Sequence, residues 1–95
     1  MRARLIFHGR RLFDDGAIME MRIWQVPEPV VASRHHLKYS LFYGFPGKRL
    51  VGYDNERGKG DHRHLDETEL PYDFVSVEKL VADFLDDVRR LRGTS

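Results

Sequence analysis

The sequence predicts an α+β fold, a four-stranded antiparallel β-meander packed on one face by a C-terminal α-helix. Three observations point there. Alternating apolar and polar residues run through the first half, most clearly at Leu37, Tyr39, Leu41 and Tyr43. Turn signals punctuate them at Asp14-Asp15-Gly16, Pro27-Glu28-Pro29 and Pro46-Gly47. Apolar residues then recur at Val77, Leu80, Val81, Phe84, Leu85, Val88 and Leu91, which is one helical stripe.

The first strand is expected near 3–13 and the second at about 17–26. A three-residue loop, with Gly16 in the left-handed region, pairs Arg10 with Glu20. It places Leu5, Phe7, Met19, Met21 and Ile23 on a single core face. Proline cannot continue a central ladder, so Pro27 and Pro29 end the second strand. The third strand runs from about 35 to 43, with His36, Lys38, Ser40 and Phe42 on the side away from the core. Pro46-Gly47 fits the centre of a type II turn, and the fourth strand, about 48–55, returns beside the third. Centring the hairpin on that turn sets Tyr53 opposite Ser40 and Asn55 opposite Lys38. A polar loop over 54–64 and an irregular stretch to Phe74 follow. Ser76 caps a helix over about 76–92, with Glu78 in its positive first turn and Arg89, Arg90 and Arg92 at its negative end. Asp83, Asp86 and Asp87 lie off the apolar stripe and read as its solvated side.

Ninety-five residues predict one domain, 1–95, with one modest core. No run is long enough to span a membrane, and the basic start leads into no signal peptide. The absence of cysteine excludes a disulfide scaffold and a cysteine-ligated metal, which makes the cytoplasm the expected location. Net charge is +1, but residues 1–50 carry nine Lys and Arg against four Asp and Glu, and residues 51–95 carry seven against eleven. A basic half suits an anionic partner such as RNA. The uncovered sheet face would display His8, Arg10, Glu20, Arg22, Trp24, His36, Lys38, Ser40, Tyr53 and Asn55. Cations for phosphates and flat rings for bases are what an RNA surface needs.

Chemistry concentrates in the run from Tyr53 to His64, which holds three carboxylates, three cations, two histidines and two glycines. Metal-free RNA cleavage needs a base near the 2′-oxygen, an acid for the leaving 5′-oxygen, and cations around the phosphate. His62, His64, Asp54 and Glu56 are the candidate catalytic groups. Arg57, Lys59 and Arg63, with Lys38, Tyr53 and Asn55, are the candidate substrate and phosphate ligands. Gly58 and Gly60 would bring backbone N–H groups close to an anion. This chemistry requires no cofactor. A second reading uses His62, His64, Asp54 and Glu56 as ligands of a divalent ion, in a metal-dependent nuclease or nucleotide-transfer enzyme. A third is a non-enzymatic module that binds RNA or protein through Arg22, Trp24 and Lys38. The small core and the open face or edge also invite a homodimer.

The segment from Leu50 to His64 resembles the TumE family, toxin components of bacterial type II toxin–antitoxin systems. The Tyr-Asp-Asn run followed by Gly-Lys-Gly-Asp-His-Arg-His is its specific part. The resemblance extends through Ala17–Met21, Ile23–Pro27, Ser33–His35, Lys38–Gly44, and Phe74 with the 77–91 helix. It implies a cytoplasmic protein that arrests growth when free. It also implies a cognate antitoxin, typically a helix-turn-helix DNA-binding protein, that neutralises it. Many small toxins of such systems cleave mRNA, which makes an endoribonuclease the expected activity.

Overall fold

A computed structural model describes residues 3–56 and 58–93. The chain forms β1 (Arg4–Leu12), β2 (Ile18–Gln25), β3 (Leu37–Phe45), β4 (Lys48–Glu56), β5 (Gly60–Leu65), β6 (Thr68–Pro71) and α1 (Val77–Arg92). The strands pair antiparallel in chain order as one sheet. The α+β class and the C-terminal helix agree with the sequence, but the sheet has six strands rather than four. The expected polar loop over 54–64 is a hairpin, and the irregular stretch after it supplies β6. Gly58 and Gly60 reverse the chain at positive φ, 84° and 78°, which side chains resist. Because β5 buries His62 and His64 instead of aliphatic residues, its alternation is invisible to a reading of hydrophobicity.

The first hairpin has the expected register, with Arg10 opposite Glu20 and Gly16 at φ 91°. A bulge between Leu5 and Phe7 then breaks the single core face, because Leu5 opposes Trp24 while Phe7 opposes Ile23. The second hairpin contains a bulge too. Tyr43 opposes Val51 but Gly44 opposes Arg49, so Leu50 is the extra residue. This slip sets Tyr53 opposite Leu41, and Asp54 takes the place beside Ser40 that the sequence assigned to Tyr53. Gly44 permits it, since a Cβ there would lie 2.1 Å from the Lys48 carbonyl oxygen. One residue of slip exchanges the two faces of everything that follows.

The core lies between the sheet and α1. Ile23, Tyr39, Leu41, Val51 and Tyr53 are buried against Leu80, Phe84 and Val88, and the Tyr53 and Phe84 rings meet edge-on at 6.0 Å. Ser76 Oγ accepts from the Lys79 N–H at 3.1 Å, and Gly93 closes the helix at φ 72°. Asp87 is not on a solvated side. It is 6% exposed and accepts two hydrogen bonds from Arg63, at 2.8 and 3.1 Å, and one from the Tyr53 hydroxyl. Among the described residues no helix is long and apolar enough to cross a membrane.

Candidate functional site

The sheet registers line up side chains in two rows across the face that α1 leaves uncovered. One row runs His8, Arg22, Ser40, Asp54, His62. The next runs Arg10, Glu20, Phe42, Gly52, His64, Glu69. Toward β6 the rows close into a compact polar cluster. His62 and His64 project from the same face of β5 with ring centroids 6.2 Å apart. They are only 9% and 8% exposed, although the helix does not cover them.

Their neighbours shield them. Arg49 Nη2 lies 3.0 Å from His64 Nδ1, and its Nη1 lies 4.0 Å from Asp54. A guanidinium only donates, so Nδ1 accepts and the ring proton is assigned to Nε2. That nitrogen is 3.5 Å from Asp54 Oδ1. Glu69 approaches His62 at 3.6 Å and His64 at 3.9 Å. Asp54 Oδ1 is buried and makes no hydrogen bond among the described residues. A buried carboxylate oxygen without a donor costs free energy, so it favours any hydroxyl or N–H brought to it. A pair of imidazoles, an underused carboxylate and a cation form a set able to move a proton and hold an anion.

The other sequence-predicted residues are placed elsewhere. Tyr53, Asn55 and Arg63 belong to the helix-side face, since Tyr53 opposes Arg63 and Asn55 opposes Asp61. Arg63 is held by Asp87, whose hydrogen bonds raise its pKa above the ordinary arginine value, so it is a clamp on α1 and not a free phosphate ligand. Asn55 is 2% exposed. Its Oδ1 accepts from the Tyr39 N–H at 3.0 Å, and its Nδ2 donates to the Leu37 carbonyl at 2.7 Å and to Ser33 Oγ at 3.3 Å. Burial and the bond to Asp87 push the Tyr53 phenol far up. Asp61 accepts from Ser33 at 2.5 Å, from Tyr39 at 2.7 Å and, through 2.7 Å, from His35. The glycines serve the same docking: the Gly58 N–H donates to Val31, and a Cβ on Gly60 would lie 3.0 Å from the Ala32 oxygen.

Lys38 is exposed opposite Trp24, and Glu56 and Lys59 are exposed at the β4–β5 turn. Arg57 lies outside the described residues. Across the sheet, Glu20 is held below the usual carboxylate range by hydrogen bonds from His8, at 3.1 Å, and Arg22, at 3.0 Å. Among the described residues no three His, Asp or Glu side chains converge as a metal ion requires, so the four expected ligands do not form one set.

Arg49 and Glu69 escaped the sequence reading. Arg49 lies outside the polar run, and only the bulge and Gly52 bring it in. A Cβ on Gly52 would sit 2.6 Å from Arg49 Cδ, so the arginine stem crosses the sheet where the glycine leaves room. A glycine inside a strand is the signal that marks such a close approach. Glu69 is hidden from a reading of the sequence because β6 is only four residues long and fully exposed, with no apolar alternation to mark it as a strand.

A protein-family model described as Toxin TumE matches residues 2–92, nearly the whole chain. Neither a curated protein nor a solved structure matches it.

Proposed function

The chain belongs to the TumE toxin family, and from that premise we propose that it arrests growth by cleaving RNA at the Asp54–His62–His64 cluster. A toxin of this family implies an antitoxin partner; the helix-turn-helix type and a cytoplasmic site of action are part of the proposal. One observation carries the choice of site. The two histidines share one face with Asp54, whose Oδ1 makes no hydrogen bond among the described residues.

In this reading the phosphodiester lies beside the Arg49 guanidinium, against Asp54 and the two imidazoles. One imidazole, unprotonated, takes the 2′-hydroxyl proton as that oxygen attacks phosphorus. The other, protonated, gives its proton to the departing 5′-oxygen as the phosphorus–oxygen bond breaks. The products are a 2′,3′-cyclic phosphate and a 5′-hydroxyl. Arg49, 41% exposed at its side chain, is placed to neutralise the crowded phosphate, the part first assigned to Arg57, Lys59 and Arg63. Asp54 orients His64, and Lys38, Arg22 and Trp24 extend a track for the rest of the strand.

The test is induced expression of the native chain, His62→Ala, His64→Ala and Asp54→Asn, each verified as folded, followed by sequencing of RNA ends. The histidine variants are expected to lose about 100-fold or more in cleavage rate, the usual worth of a positioned acid or base. Cleavage by the purified chain is expected to survive a chelator. Equal growth arrest by native chain and variants would refute the site, and loss of cleavage on chelation would favour the metal-dependent reading.

A further inference from the structure

On the helix side of the sheet, α1 packs over β4 and leaves the outer part of β1 and β2 uncovered. A groove of about 620 Å³ runs between them. Phe13, Met19, Met21, Leu85 and Val88 form its apolar floor. Phe7, 41% exposed, extends the floor outward by lying over Gly9, where a Cβ would be 3.5 Å from its ring and 3.6 Å from Met21. The rim is cationic. Arg11 and Arg92 both stack on Phe13, at 4.5 and 3.9 Å, and Arg89 lines the same groove. Arg92 is already engaged by Asp15, at 3.1 Å, and by the Tyr43 hydroxyl, at 2.8 Å. Arg11 and Arg89 meet no carboxylate among the described residues.

We propose that this groove binds an acidic amphipathic segment of the antitoxin, with apolar side chains on the floor and carboxylates at Arg11 and Arg89. Charge complementarity selects this occupant. A second copy docked symmetrically would set the same patch against itself and bring Arg11 and Arg89 toward their own equivalents. The floor is mostly thioether and aliphatic, and its Phe13 ring is already covered by Arg11 and Arg92, so it offers bases little to stack on and suits apolar side chains better than RNA. Helix-in-groove docking uses this combination of an apolar stripe and flanking charge. The groove is on the opposite face from His62 and His64, so the segment contributes affinity without covering the cluster. The inference rests on the chain being a toxin with an antitoxin, and is independent of whether it cleaves RNA.

Calorimetric titration with the antitoxin encoded beside the toxin gene tests it. The native chain is compared with Arg11→Glu/Arg89→Glu and with Arg22→Glu/Lys38→Glu on the opposite face. All four positions are exposed, and circular dichroism verifies folding. The groove variant is expected to bind at least tenfold more weakly, with a reduced salt dependence, and the opposite-face variant to bind like the native chain. Equal affinity of the groove variant, or no binding by the native chain, would overturn the proposal. So would sedimentation showing a native dimer that the groove variant dissociates, since a second copy would then be the occupant. Binding is read without any cleavage, so failure of the ribonuclease reading leaves this outcome decisive.

Discussion

Arg49 owes its position to an absence. Gly52 has no Cβ, and the arginine stem occupies that space to reach His64 and Asp54. Gly52→Ala should therefore cost little stability, about 1 kcal/mol, because the displaced group is a flexible side chain and not backbone. It should lower cleavage about tenfold or more, the equivalent of a lost hydrogen bond to a charged group. Thermal unfolding and cleavage rate, measured on the same preparation, separate the two effects. A Gly52→Ala protein with native activity would show that Arg49 plays no part. A reader of the sequence sees a glycine in a strand, but not which side chain passes over it. The signal of close approach is present there; its meaning depends on a neighbour set by the β3–β4 bulge.

At the scale of elements, the polar side chains of β4 and β5 divide into two groups with different tasks. Asp54, His62 and His64 face the uncovered side, whereas Tyr53 and Arg63 hold α1 through Asp87. Asp87→Ala leaves a buried hydroxyl and a partly exposed guanidinium without their acceptor. We expect a loss of about 3 kcal/mol, the lower end for a broken buried pair because Arg63 retains some contact with water. Urea denaturation checks this, and a change below that of an ordinary surface substitution would contradict the clamp. The helix itself was legible because its stripe, cap and C-terminal glycine are local features. Its buried aspartate was not, since a polar residue beside an apolar stripe looks solvated until its partner strand is known.

For the whole molecule, two buried phenols and one half-buried one set an alkaline limit. Burial first, and then hydrogen bonds to Asp61, Asp87 and Asp83, hold Tyr39, Tyr53 and Tyr72 well above their ordinary value of 10.0. Unfolding restores that ordinary value, so above it the unfolded chain releases protons that the native chain keeps. Their stabilisation is complete below about pH 10 and is lost as pH rises further. Phenolate absorbance from these rings should appear together with loss of helical dichroism, not before it. Titration of all the tyrosines ahead of unfolding would show that these rings are not sealed. The same burial explains why the sheet needs so many aromatic residues: a chain of this size makes one thin core between six strands and one helix.

The sequence by itself determined the α+β class, the first hairpin's Arg10–Glu20 register, the helix with its caps, and membership of a toxin family. These follow from period, turn chemistry and local motifs, all carried by residues close together in the chain. Only the tertiary structure decided the two additional strands and the division of the polar run between the two faces. It also decided the entry of Arg49 and Glu69 into the cluster. Each depends on register, and a one-residue bulge at Gly44, set by the approach of two backbones, reverses the facing of every side chain beyond it.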